Sequence, residues 1–326
     1  MRAMAIPPAV VAAARASWHW QWQRLMGGLG PADANGNYTR PKAAFTALPP
    51  LPADAAQPSQ HVLIVGRSCP WAHRAWLVWT LRQLQDSIEL LVVEPDPEAG
   101  RWRFQTPFLG CNTLQDLYRR SGAAAQQRAT VPVLVHHPSA QVVLSESARL
   151  IELLNQWPAP DGSVDLAPPE HTRAIQPWRD LFQGAVNDGV YRCGFARNQN
   201  AYDRAETAFF AALDQAEAAL QGADAQPWLA GINVSLADVQ LFPTLIRLEL
   251  VYAPLFGVSR RPLWQFPALW RWRQRFFALP GVAATCCDQA WRQDYFGALF
   301  PLHPSGIVPA GPALATLVQG QLQVQG

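Results

Sequence analysis

His61-Val62-Leu63-Ile64-Val65-Gly66-Arg67-Ser68-Cys69-Pro70-Trp71-Ala72-His73-Arg74 is the stretch from which the rest of the chain can be ordered. Its first six residues form an apolar, β-branched run that predicts a strand. Cys69-Pro70 then opens a helix, since proline suits the first helical position, where its missing N–H would have had no partner. One thiol is thereby expected at a helix N-terminus, with unpaired N–H groups and the positive end of the helix dipole directed at it. That arrangement favours thiolate over thiol and makes a nucleophile. Ala72 stands where a dithiol oxidoreductase carries its second cysteine, so a redox cycle through Cys69 needs an external thiol.

Working outward, Pro70 to about Leu84 reads as a helix with Leu77, Val78, Leu81 and Leu84 as its apolar stripe. Ile88–Glu94 is a second strand, and strand–helix–strand implies a parallel pair with a crossover. Residues 95–128 read as irregular, apart from a short helix through Leu114, Leu117 and Tyr118. Val131–Val135 and Gln141–Leu144 predict a hairpin about His137-Pro138-Ser139-Ala140, and Ser147–Gln156 a helix with Leu150, Ile151 and Leu154 on one face. This order, βαβ then ββα, is the thioredoxin arrangement, and Pro132 at a strand start suits its cis-proline beside the active cysteine. The linker Pro158–Pro169 is rich in Pro, Gly and Asp, and the sequence after it reads as helical. Helices are expected over Ala201–Leu220, from Ser235, over Trp264–Leu279 and over Asp288–Phe296. Ser235 and Asp238 form a capping box, a structural rather than a catalytic pair. The expected fold class is α+β: an extension over 1–60, a thioredoxin-like βαβ-ββα domain over 61–157, an all-helical domain over 170–300 and an irregular tail over 301–326.

Among 326 residues the formal charge is only +2 and half are hydrophobic, which gives no electrostatic case for nucleic acid. No apolar run approaches the roughly 18 residues of a membrane span, so no membrane association is expected. Fourteen tryptophans read chiefly as core. The five cysteines show no paired spacing, which points to a reducing compartment without a disulfide framework or a metal site. Cys286-Cys287, at a helix end, read as small buried hydrophobes. Residues 1–30 carry three arginines and no acid, which leaves a targeting peptide open, but Pro7-Pro8 interrupts the apolar run and Trp18–Trp22 reads as packed structure. The expected location is cytoplasmic.

A thioredoxin-like domain followed by a helical domain with an internal capping box resembles the cytosolic glutathione transferases. Cys69–Arg74, Thr130–Leu134, Glu146-Ser147, Gly189–Ala196, Leu241–Arg247 and Gly306–Pro312 are similar, in order and spacing, to the Xi class, the glutathionyl-hydroquinone reductases. The resemblance runs from about Tyr38-Thr39-Arg40-Pro41 to Pro312. It implies that glutathione is the co-substrate and that Cys69 strips glutathione from glutathionyl-hydroquinones through a mixed disulfide. A second glutathione then releases oxidised glutathione, with ping-pong kinetics. It also implies a homodimer.

An extended tripeptide pairs with a strand edge, so Val131 before Pro132 is expected to offer its N–H and C=O. Glu146 can meet the γ-glutamyl ammonium, and the Ser147 hydroxyl with the helix N-terminus the carboxylate; both residues also suit a helix cap. Arg128 corresponds to an arginine of the family and either pairs with a ligand carboxylate or is a solvated loop charge. Trp102 corresponds to a tryptophan over glutathione, with a core role as its structural alternative. Tyr191 matches a tyrosine that exchanges a proton with the substrate. Tyr252 and Tyr295 match two tyrosines near the cysteine that help lower its pKa by hydrogen bonding. His73 reads as structural. Three departures stand against the family pattern: Phe296 where a second tyrosine follows Tyr295, the stretch 102–128, and Val135-His136 in place of Trp-Asp. They bear on substrate size and the rim of the glutathione pocket. An omega-like thioltransferase or dehydroascorbate reductase, and a non-catalytic binding module, remain the alternatives at this point.

Overall fold

The structure is a computed structural model and describes residues 6–52, 60–96, 100–221, 226–299 and 301–319. The first strand, β1 (His61–Gly66), is buried along nearly its whole length, as a continuous run of Val, Leu and Ile requires of a central strand. It leads into α2 (Pro70–Leu81) and then β2 (Glu89–Asp96), which pairs parallel to β1. On the other side β5 (Val133–His136) runs antiparallel to β1 and turns into β6 (Gln141–Leu144), followed by α4 (Ser147–Gln156). The Val131–Pro132 bond is cis, as the thioredoxin order anticipates.

Residues 95–128 are more regular than their sequence reads. They hold β3 (Arg101–Phe108) and β4 (Cys111–Thr113), which extend the sheet to six strands in the order β4-β3-β2-β1-β5-β6, and then α3 (Leu114–Arg120). These edge strands are largely exposed, so only Phe104 of β3 sinks into the core and no buried face announces the strand.

The first helix, α1 (Pro8–Leu29), places Pro8 at its start and buries only Met26. The reading of Trp18–Trp22 as packed structure holds only for Trp22, which packs against the core beneath Arg197; Trp18 is 45% exposed and Trp20 is 64% exposed. The helical domain holds α5 (Thr172–Leu181), α6 (Gly189–Gly194), α7 (Gln199–Gln221), α8 (Leu236–Leu245), α9 (Ala253–Phe256), α10 (Pro267–Phe277) and α11 (Asp288–Ala298), and a last helix, α12 (Leu314–Gln319), falls in the tail. Wider π turns, Phe182–Asn187 and Leu248–Tyr252, join α5 to α6 and α8 to α9. Leu236–Phe256 is thereby long and apolar enough to cross a membrane, against the expectation that no such stretch exists, but 78% of its most apolar window is buried inside the protein. It is the core helix of the second domain. The capping box is present, with Asp238 accepting from the backbone N–H and the hydroxyl of Ser235. All five cysteines are free; Cys69, Cys286 and Cys287 are only half-buried.

α2 is the hinge of the architecture. It packs on β1 and α4 of its own domain and on α8 of the second, so its N-terminus opens at the seam between them.

Candidate active site

Cys69 is the N-cap of α2, with Pro70 in the first turn. The backbone N–H groups of Trp71 and Ala72 point at its sulfur and favour the anion. Burial acts the other way and is the larger effect, so at rest the thiol is pushed above its ordinary range. The expectation of a lowered thiol is therefore not met. The S–H donates to the carbonyl of Val131 at 3.4 Å. That carbonyl, expected to serve the tripeptide, is occupied until the thiol loses its proton.

A cavity of about 840 Å³ opens in front of the sulfur. One half of its wall comes from the sheet domain: Trp102, Arg128, Val131, Pro132, Glu146 and Ser147, every glutathione residue expected from the sequence. Trp102 lies close over Gly66, where a Cβ would approach its ring to 2.6 Å, so a side chain at 66 would displace the indole. Glu146 caps α4: its Oε2 accepts from the N–H groups of Ala148 and Arg149 at 2.7 and 3.0 Å, which leaves Oε1 outside the cap. The Ser147 hydroxyl is buried with no hydrogen-bond partner among the described residues. Arg128 is exposed on the rim and donates to the Leu29 carbonyl at 3.2 Å.

The other half is aromatic and comes from the helical domain and the extension. Tyr191 on α6 and Tyr295 on α11 share a hydrogen bond of 2.6 Å. Tyr252 stands behind them, its hydroxyl 3.4 Å from that of Tyr295, fully buried and outside the cavity wall. Burial and the neighbouring phenols hold Tyr191 well above its ordinary pKa, and burial does the same for Tyr295, so both remain O–H donors. Neither Tyr252 nor Tyr295 bonds the sulfur, whose hydrogen-bond partners are backbone; their expected role in lowering the thiol is not what the geometry provides. His73 is structural as read, buried with Nε2 on Thr285 at 2.8 Å.

Five side chains were given no role in the sequence reading: Arg40, Trp71, Arg74, Gln183 and Asp188. Trp71 lies between guanidinium groups, with Arg40 at 3.6 Å and Arg74 at 4.3 Å from its ring centre, and stacks on Tyr191. Arg40 pairs with Asp188 at 3.4 Å, and Gln183 bridges Arg74 to the same carboxylate. Burial pushes the Arg74 pKa down to about 9. The signal was in the motifs, since Arg40 and Trp71 sit in stretches that matched the family, but nothing in spacing joins residues 40, 74, 183 and 188. Of the departures, Phe296 is buried against His303 and does not line the cavity, and His136 bonds Ser139 and Gln60 at the far end of β5. Neither lines the cavity. Among the described residues no cluster of His, Cys, Asp or Glu forms a metal site.

A cysteine at the mouth of a thioredoxin-like helix, facing a tripeptide-sized groove and an aromatic wall from a helical domain, defines a glutathione transferase of the thiol-bearing kind. The family description "Glutathione S-transferase, N-terminal domain" matches residues 68–157 and "Glutathione S-transferase, C-terminal domain" residues 199–275. The chain is 30% identical to glutathionyl-hydroquinone reductase PcpF of Sphingobium chlorophenolicum, over 79% of this chain and 84% of that one. It is 30% identical to glutathionyl-hydroquinone reductase YqjG of Escherichia coli K12, over 90% and 93% respectively. A glutathione-bound YqjG structure superposes with a TM-score of 0.71 at 30% identity, covering 79% of this chain and 86% of that one. The Xi transferase of Phanerochaete chrysosporium superposes with a TM-score of 0.79 at 30% identity, covering 86% and 94%. This chain belongs to the Xi-class glutathione transferases, the glutathionyl-hydroquinone reductase family.

Proposed function

We propose that the protein removes glutathione from glutathionyl-hydroquinones, using Cys69 as nucleophile and a second glutathione as reductant. The carrying observation is the cavity in which one sulfur faces both a tripeptide groove and a hydrogen-bonded pair of phenols. Ser147 and the N-terminus of α4 take the γ-glutamyl carboxylate, and Glu146 Oε1 the ammonium. Arg128 takes a carboxylate at the rim, and Trp102 covers the peptide.

The bond to be broken joins the glutathione sulfur to a ring carbon, so the electron pair on that carbon needs somewhere to go. In the keto tautomer of the quinol, the phenolic proton has moved to the sulfur-bearing carbon. Attack by the Cys69 thiolate on the glutathione sulfur then expels a phenolate rather than a carbanion. The disulfide forms, the carbon–sulfur bond breaks, and Tyr191, coupled to Tyr295, gives its proton to the phenolic oxygen. A second glutathione thiolate attacks the sulfur of the bound glutathione, producing oxidised glutathione and returning the Cys69 thiolate. The ring carbon is reduced by two electrons while the thioether sulfur of the conjugate and the thiol of the second glutathione become one disulfide, so the reaction balances with Cys69 regenerated. Conjugating transferase chemistry, which activates glutathione itself, has no use for a protein thiol at this position.

Cys69→Ser is expected to lower glutathione-dependent turnover of a glutathionyl-hydroquinone at least about 10³-fold, because the hydroxyl cannot form the disulfide. Turnover within tenfold of the native rate would refute the assignment. A homodimer belongs to the same proposal, and a sedimentation mass of one chain would refute that part.

A further inference from the structure

Arg247 ends the Leu241–Arg247 motif, just before the π turn Leu248–Tyr252, and is fully buried, 0% exposed. Its Nη1 donates to the Pro243 carbonyl at 2.9 Å and to His73 Nδ1 at 2.8 Å, and its Cζ lies 4.0 Å from the ring centre of Trp291. Nε and Nη2 are buried without a partner. Among the described residues no carboxylate pairs with it. His73 supplies no negative charge. Its Nδ1 accepts from Arg247, so Nε2 carries the proton and donates to Thr285, whose hydroxyl donates to the Val282 carbonyl. Burial and the adjacent cation keep that imidazole neutral.

A buried guanidinium without a counter-ion is costly, and proteins pair such groups or dispense with them. Arg273 of the same domain follows the rule, meeting Glu249 at 2.7 Å. Arg247 breaks it, with three of its five N–H donors idle. The compensating charge must then be a group that becomes negative during the reaction. The position points to the N-terminus of α2: Arg247 holds the imidazole of His73, which stands one helical turn after Cys69, its backbone N–H closing that turn on the Cys69 carbonyl at 2.9 Å. The other charged and titratable groups about Cys69 are Arg40, Arg74, Asp188 and Glu146 on the cavity side, with Tyr191, Tyr252, Tyr295 and Asp294 from the helical domain. Arg40 pairs with Asp188 and reaches solvent, and buried Arg74 has Gln183 between it and the same carboxylate and lies within the influence of Glu146. Among these cations, Arg247 is the one with neither a carboxylate partner nor an amide bridge to one.

We propose that Arg247 is the counter-charge of the Cys69 thiolate, a positioning residue that acts through the protein interior rather than by touching substrate. It stabilises the anion formed when the thiol gives its proton to solvent, and again the thiolate released by the second glutathione. The direction of the electrostatics agrees: Arg247 is the foremost cation favouring ionised Cys69. The proposal rests on Cys69 being the nucleophile and does not depend on which quinol leaves.

The test is the pH dependence of iodoacetamide alkylation at Cys69, followed on its own peptide by mass, in the native chain, Arg247→Gln and Arg247→Lys. The glutamine variant should raise the apparent thiol pKa by about one unit, so that alkylation at pH 7 falls about tenfold. The plateau rate at high pH and the binding of S-methylglutathione should stay within about twofold, and lysine should keep the native pKa within about 0.3 unit. An unchanged pKa in a folded glutamine variant, or a lysine variant as impaired as glutamine, overturns the proposal. Should Arg247→Gln not fold, the native pKa is compared in 0.05 M and 1 M KCl. A buried source holds it within about 0.3 unit, whereas a larger rise assigns the effect to exposed cations and overturns the proposal. Failure of the functional reading is distinguishable, as absent quinol turnover with the alkylation shift intact.

Discussion

Tyr191 and Tyr295 share one hydrogen bond, and Tyr252 meets both edge to face, at ring-centre distances of 6.2 Å from Tyr191 and 5.9 Å from Tyr295. Three phenols around one small volume have a purpose that one phenol lacks: Tyr252 and Tyr295 both raise the cost of ionising Tyr191, so its proton stays on oxygen until a substrate oxygen accepts it. Tyr191→Phe is expected to lower turnover by about 10²-fold and to leave the KM for glutathione within about twofold, because the hydroxyl serves the leaving phenolate and not the peptide. Steady-state kinetics with both substrates check this, and equal loss in both parameters would make Tyr191 a wall of the pocket only. The sign of the pH dependence follows from the same groups. Alkylation of Cys69 should climb as pH rises through and above the ordinary thiol range, since burial holds the proton on, and phenol ionisation should not curtail it near neutrality. At this scale the sequence named the sulfur, the phenols and the side chains that line the sheet-domain half of the cavity. It could not show that Glu146 spends one oxygen on capping, or that Arg247 faces no carboxylate, because both are facts of three-dimensional pairing.

Among the elements, those with an internal signal were legible and those supported from outside were not. β1, α2 and the hairpin β5–β6 carry their burial in their own apolar pattern. β3 and β4 are ordered by main-chain pairing at the sheet edge, with alternating Trp102, Phe104 and Phe108 diluted by arginines and Pro107. The π turns leave no periodic trace, yet Leu248–Tyr252 ends on the buried phenol and Phe182–Asn187 leads directly to Asp188 and α6. α8 depends on Asp238, which accepts from Ser235, from the Leu229 N–H at 3.2 Å and from Trp272 Nε1 at 2.8 Å. Asp238→Ala removes the cap and strands two buried donors, at an expected cost of about 3 kcal/mol or more. Urea unfolding checks it, and a loss below about 1 kcal/mol would show that the cap is dispensable.

For the whole molecule, the seam between domains is the source of function. The sheet domain brings the sulfur and the peptide groove, the helical domain brings the phenols and the buried cation, and α2 touches both. Trp291 ties them again, its indole N–H donating to the Arg67 carbonyl at 3.0 Å while its ring covers Arg247. The extension contributes as well, since Tyr38 and Arg40 complete the cavity wall, which is why residues 1–60 read as an appendage in sequence yet belong in part to the site. The two-domain order was legible because each domain has its own period, 2 with a crossover in the first and 3.6 in the second. The seam was not, because contacts 100 to 200 residues apart leave no local mark. The direct test is to expose the protein to a glutathionyl-hydroquinone without free glutathione and weigh it intact. The account predicts one glutathione per chain, mapped to Cys69, with free hydroquinone released and the adduct discharged by added glutathione. Hydroquinone release with no adduct, or an adduct on another cysteine, would contradict it.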